Sequence, residues 1–223
     1  MAAAGDEATY LVFLGSIRES TPPRPARLGL RVARACLARL QASGARATLI
    51  DALDYPLDAP FKPHFAYAAG RAPAALDALA EKIRAADGYV MVSPEYNHSM
   101  SPALAHLLNH FGASLFAYKP SAIATYSAGQ WGGARAAVNM RAFLSELGCL
   151  PVSAMIHLPK AQEVLDEDGG YAPEAEAASW DGYLDRTLDQ LRWWARAAKH
   201  GRSEMADRPG AFLRDPSQRN APR

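Results

Sequence analysis

The sequence predicts an open α/β fold, a parallel sheet with helices on both faces. Short β-branched runs alternate with longer segments of helical periodicity five times along the chain. The runs are nearly continuous in apolar residues, as strands buried on both faces are. Apolar residues make up 49% of the 223 and charged residues 21%, a balance that can build one substantial core and does not suit a disordered chain.

The first strand is TYLVFL, Thr9 to Leu14, ending at Gly15. A polar connection follows, GSIRESTPPRP; then Leu30, Ala33, Leu37 and Leu40 recur at helical spacing until Gly44 closes the helix. ATLIDA, Ala47 to Ala52, is the second strand, and the proline-punctuated YPLDAPFKPHF comes after it. Leu76, Leu79 and Ile83 mark the next helix, and GYVMVS, Gly88 to Ser93, the third strand. Beyond PEYNHSMSP lies a helix with Leu104, Leu107, Leu108 and Phe111 on one face, Ser101 as its expected cap and Pro102 suited to its first turn. SAIATY, Ser121 to Tyr126, is the fourth strand, and SAGQWGG leads into a helix carrying Val138, Leu144 and Leu147. PVSAMI, Pro151 to Ile156, is the fifth strand; Trp180, Leu184, Leu188, Leu191, Trp194 and Ala198 define a final amphipathic helix. Residues 1–8 read as a flexible N-terminus, 9–200 as the domain, and 201–223, rich in proline and arginine, as a disordered tail.

A net charge of +1 points to no nucleic-acid partner. No run approaches the ~20 apolar residues of a bilayer span, and MAAAGDEAT lacks an apolar signal region. A cytoplasmic protein with no membrane partner is expected. Cys36 and Cys149 stand far apart among apolar helix formers and read as buried structural thiols. His106 and His110 are four apart, without the Glu of a zinc helix, and His98 has neither metal-spaced neighbours nor a GxSxG motif, so no metal is expected.

Three loops leave strand carboxyl ends with specialised residues, where open α/β sheets bind ligands. In GSIRES, a glycine is followed by Ser16, Arg18 and Ser20 ahead of a helix, the donors an anion requires. The same loop also fits a solvated connection with Ser20 or Thr21 as a helix cap. It is neither GxGxxG nor GxxxxGK[ST], which argues against a dinucleotide fingerprint and a nucleotide triphosphatase. Asp51 lies 36 positions after Gly15, against about 20 for a ribose-binding acid, and reads as a strand-end residue. PEYNHSMSP suits a flat ligand with apolar faces and one polar edge, Tyr96 supplying a wall. A plain turn is the alternative, although Glu95, Tyr96 and Asn97 exceed what a turn needs. In SAGQWGG, Gly129, Gly132 and Gly133 allow close backbone approach, and Trp131 is large for a tight turn.

Taken in order, GSIRES, PEYNHSMSPAL and SAGQWGG resemble the motifs of the flavodoxin-like NAD(P)H-dependent FMN reductases, which include quinone, azo-dye and metal-ion reductases. The resemblance runs from Tyr10 to Pro159. It implies a flavodoxin-like sheet of five parallel strands, FMN as cofactor, and NADPH or NADH as co-substrate. By it, Ser16, Arg18 and Ser20 would hold the FMN phosphate; Pro94, Glu95, Tyr96 and Asn97 would line the isoalloxazine ring; Ser127, Gly129, Gln130 and Trp131 would close its pyrimidine edge. No side chain is given a catalytic role, because the flavin carries the chemistry. Tyr96 and Asn97 would shape the face on which nicotinamide and then a quinone, flavin, azo or metal-ion acceptor react in turn, by ping-pong kinetics. The alternative is a flavin-based electron carrier or a redox-sensing module that binds a partner; a carrier usually has a strongly acidic surface, which +1 does not give. The chain departs from the family in having Leu104-Ala105-His106 where Leu-Lys-Asn is common, and TPPRP where Asn-x-x-Leu is frequent.

There is also an apolar surplus. Phe111, Phe116 and Tyr118 are too many to fit together beneath the sheet, and Trp193 and Trp194 point about 100° apart on one helix. The surplus predicts a homodimer, or a tetramer of two dimers, with the neighbouring chain over the flavin, as the resemblance also implies.

Overall fold

β1 (Thr9–Leu14) is buried on both faces, with Val12 and Leu14 in one core and Leu11 and Phe13 in the other. The computed structural model describes residues 8–18, 27–55, 57 and 61–204. Around β1 it sets β2 (Arg46–Asp51), β3 (Gly88–Pro94), β4 (Lys119–Tyr126) and β5 (Cys149–Pro151) in the order β2-β1-β3-β4-β5. All pairings are parallel. The chain steps outward from β1 to β2 and then returns to β3 on the other side, so strand order reverses between β1 and β3.

The helices are α1 (Leu28–Ala42), α2 (Ala74–Ala85), α3 (Pro102–Asn109), α4 (Ala113–Phe116), α5 (Ala134–Glu146), α6 (Ala161–Val164) and α7 (Ala177–Glu204). α1, α6 and α7 cover the face that carries Val12, Val90 and Ala124, while α2, α3, α4 and α5 cover the face of Phe13, Met91 and Ile123. This is the expected fold class, a parallel sheet wound on both sides.

The fifth strand differs from expectation. Pro151 to Ile156 is not one strand: β5 ends at Pro151, and β6 (Ile156–Leu158) resumes against β4 further along, giving a six-stranded sheet. The residues between leave the ladder because other groups satisfy them. The Val152 N–H keeps the last ladder bond, to the Ser121 carbonyl of β4 at 2.9 Å, but its carbonyl accepts Arg141 Nη1 at 2.9 Å. Gln190 Oε1, from α7, accepts from the Ser153 hydroxyl at 2.9 Å and the Ala154 N–H at 3.1 Å.

The apolar surplus is as expected in one place, where Tyr118 stays 38% exposed, and larger than expected in another. Phe111 and Phe116 are both buried, Phe116 against Tyr89. On α7 the inner stripe turns from Leu191 to Ala195 and not to Trp194, so Trp193 and Trp194 are both exposed, at 57% and 41%. Val138 faces solvent, and Met140 and Leu144 carry the inner side of α5. Cys36 and Cys149 are buried free thiols. α7 continues to Glu204, past the expected domain end at 200; residues 1–7 and 205–223 lie outside the described residues.

At the amino end of the sheet, buried Asp87 gathers three partners. It accepts the Thr9 N–H at 3.0 Å and pairs with Arg202 at 2.7 Å and Lys199 at 3.4 Å from α7. The carboxyl end is left to the three loops.

Candidate functional site

The loop after β1 can pass α3 only because residue 15 is glycine. A Cβ there would stand 2.6 Å from Leu104 Cβ and 2.8 Å from the Val92 carbonyl oxygen. Ser101 ties this crossing together: its hydroxyl donates to the Gly15 carbonyl and accepts the Leu104 N–H at 3.1 Å, capping α3 as expected. Ser16 is buried, and its Oγ accepts the Arg18 N–H at 3.4 Å. Burial pushes the Tyr126 phenol up to about 12, against an opposing hydrogen bond with Ser16, so Tyr126 stays neutral. Arg18 is exposed, and among the described residues no carboxylate pairs with it. Ser20 lies outside the described residues.

Asp51 is the strand-end residue that its position suggested. It receives Arg27 at 2.6 and 2.9 Å and the Leu53 N–H at 3.0 Å. Burial pushes its carboxyl up, but the Arg27 hydrogen bonds, the Leu53 N–H and the Arg27 charge together hold it below its ordinary value.

In the loop after β3, Tyr96 and Ser99 exchange both backbone hydrogen bonds at 2.9 Å. The two residues they enclose, Asn97 and His98, have φ of 50° and 62°. This is a two-residue turn with both centres left-handed, the type that matches strand twist and that Asn tolerates well. Asn139, from α5, donates to the His98 carbonyl and holds the turn tip. Glu95 faces away from the turn: it accepts the Arg135 and Ala136 N–H groups at 3.1 and 3.2 Å and pairs with the Arg135 guanidinium at 3.6 Å. It thus caps α5, whose own N-cap, Gly133, has no side chain to do so.

The third loop is held by Ser127, whose Oγ donates to the Gly129 carbonyl at 2.7 Å and accepts the Gly132 N–H at 2.9 Å. Gly132 and Gly133 have φ of 58° and 75°, and a Cβ on Gly133 would meet Thr125 Cβ at 2.9 Å. Gly129 carries neither constraint. Gln130 is exposed, and Trp131 is exposed with the Arg135 guanidinium 5.3 Å from its ring centre.

A cavity of about 380 Å³ opens between the first two loops. Gly15, Ser16, Ile17 and Arg18 form one wall, Tyr96 and Asn97 the other, and Ser101, Pro102 and Ala103 at the start of α3 the floor. Of the residues singled out in the sequence, Ser16, Arg18, Tyr96 and Asn97 meet here. Pro94, Glu95, Ser127, Gly129, Gln130 and Trp131 stand on the neighbouring strand end and loops, outside this lining. Ile17 and Ala103 are lining residues that sequence reasoning missed, because a lone apolar loop residue and a helical alanine carry no signal.

Fold and cavity together define a doubly wound α/β protein whose cavity lies at the strand-order reversal between β1 and β3, where ligands bind in such folds. Residues 9–163 match the family model described as NADPH-dependent FMN reductase, and the chain belongs to that family, oxidoreductases with FMN as cofactor and NAD(P)H as electron donor. It is 31% identical over 128 residues to an NAD(P)H-dependent FMN reductase of Pseudomonas aeruginosa, covering 56% of this chain and 67% of that one. It is 44% identical over 75 residues to a quinone reductase of Escherichia coli, covering 32% of this chain and 40% of the relative. In structure it is similar to FerB, a flavoenzyme NAD(P)H:acceptor oxidoreductase of Paracoccus denitrificans, with a TM-score of 0.61 at 20% identity over 83% of this chain and 98% of that one.

Proposed function

We propose that this chain binds FMN in the cavity between the β1 and β3 loops and passes electrons from NAD(P)H to a small acceptor of the quinone, flavin, azo or metal-ion kind. One observation carries the reading. A single concavity has a hydroxyl and an arginine on one wall, and an aromatic ring over an apolar helix start on the other. A phosphate dianion needs the first and a planar ring system the second, so the residues present fit FMN.

In this reading Ser16 and Arg18, with Ser20, hold the phosphate. Pro94 and the Tyr96–Asn97 turn flank the isoalloxazine, and Ser127, Gly129, Gln130 and Trp131 stand at its pyrimidine edge. Glu95 contributes by fixing the start of α5 beside that edge. Bound FMN supplies the redox chemistry, taking hydride from NAD(P)H and returning electrons to the acceptor. The chain's task is to orient and shield the ring, and no side chain needs to carry a proton. The exposed Tyr118, Trp193 and Trp194 support a homodimer, or a tetramer of two dimers. Two buried free thiols suit a reducing, cytoplasmic setting, and among the described residues no helix is long and apolar enough to cross a membrane.

The test is flavin binding followed by turnover. Arg18→Ala should weaken FMN about tenfold to a hundredfold, the worth of one charge-assisted contact, as read by flavin fluorescence titration. Wild-type protein loaded with FMN should consume NAD(P)H steadily when given a small quinone. A folded protein that takes up no FMN overturns the reading.

A further inference from the structure

Arg27 stands behind the cavity wall, not within its lining. It immediately precedes α1, where the helix dipole already leaves a positive end, so a cation there is unfavourable by itself. Asp51, at the carboxyl end of β2, removes the conflict. The guanidinium meets both carboxylate oxygens fork to fork, at 2.6 and 2.9 Å, and the two side chains are only 13% and 15% exposed. The same Nη2 that bonds Asp51 also donates to the Ser16 carbonyl. Both terminal nitrogens of Arg27 are therefore engaged and its Nε is buried, whereas Arg18 is exposed and, among the described residues, pairs with no carboxylate.

The bond to Ser16 has a geometric effect. The Ser16 carbonyl and the Ile17 N–H belong to one planar trans peptide and point in opposite directions. Holding the carbonyl on Arg27 turns the Ile17 N–H away from the Arg27–Asp51 pair. Ser16 Oγ, accepting the Arg18 N–H, fixes the next step of the same loop. Both peptides belong to the cavity wall.

We propose that Arg27, neutralised by Asp51, is a positioning residue for the phosphate end of the cofactor: it sets the Ser16–Ile17 peptide so that the loop offers its N–H groups and Arg18 to a dianion. This rests on the phosphate reading above. Lysine would carry the charge but not the planar fork that spans two carboxylate oxygens and a carbonyl.

The experiment compares FMN with riboflavin, which lacks the phosphate, by fluorescence titration of the full-length apoprotein. Wild type should prefer FMN. Arg27→Met should weaken FMN by about tenfold, the scale of one charge-assisted contact, and leave riboflavin nearly unchanged; Arg27→Lys should not restore the preference. Circular dichroism establishes that each variant is folded, and Arg27→Lys carries the same comparison should Arg27→Met not fold. An unchanged FMN preference in a folded variant overturns the proposal. So does an equal loss of both ligands, which would make Arg27 a support of the fold alone. Failure of the underlying reading looks different: wild type would then show no preference for FMN, or Arg18→Ala would keep it.

Discussion

Asn97 and His98 show how one residue can be both legible and misleading. The sequence offered Asn97 as a ligand contact in excess of what a turn needs, yet its left-handed φ makes it a turn residue as well as a lining one. His98 holds φ 62° at a cost, since a side chain in that region is disfavoured by roughly 1 kcal/mol or more. His98→Gly should therefore keep or raise the urea midpoint, while the β-branched His98→Val should lower stability by about 1–2 kcal/mol. Glu95 was not legible in this way. Its partners, the first N–H groups of α5, lie forty positions on and meet it only through the packing of β3 beside β4. Asp51 was read correctly as a strand-end acid, and its pairing gives a pH dependence. Its carboxyl pKa is lower in the folded chain than in the unfolded one, so its contribution is complete above the unfolded value and is lost as pH falls through the folded one. Chemical unfolding across an acid series should show a loss of stability below about pH 4 that Asp51→Asn flattens.

The strands and helices were mostly readable because each is buried in proportion to its apolar run. β1 has the bounds expected of TYLVFL, and the faces of α2 and α3 are those that Leu76, Leu79, Ile83, Leu104, Leu107 and Leu108 predict. PVSAMI fails for a physical reason. Its residues have strand character, but Arg141 and Gln190 offer the Val152 carbonyl, Ser153 and Ala154 partners outside the ladder, and a local pattern cannot see side chains on the helices before and after it. Gln190→Ala should accordingly destabilise the chain by about 1–3 kcal/mol, the cost of leaving the N–H of buried Ala154 without its acceptor. Amide hydrogen exchange should show Ala154 losing protection first. Unaltered protection there would mean that water replaces the glutamine freely.

For the molecule as a whole, the parallel sheet wound on both faces followed from the alternation of strands and helices, whereas counting aromatics foretold only part of the surface. Phe111 and Phe116 found room inside because α4 turns back under the sheet, and Trp193 and Trp194 did not because Ala195 is the residue that α7 turns inward. Two exposed indoles with rings 4.8 Å apart, together with Tyr118, suit a subunit contact. Light scattering coupled to size exclusion should give a dimer mass or a multiple of it at micromolar concentration, and Trp193→Glu combined with Trp194→Glu should reduce it to the monomer. Fully active wild-type monomer would count against the contact. Asp87 bears on the molecule differently. One carboxylate holds the first residue of β1 and, through Arg202 and Lys199, the last turns of α7, so the beginning and end of the folded unit lie side by side. Backbone continuity between them is then a matter of history more than of architecture. A circular permutant, spliced from the end of α7 to β1 through a short linker and reopened at the Ser43–Gly44 turn, far from the cavity, should fold to the same sheet and keep its flavin affinity.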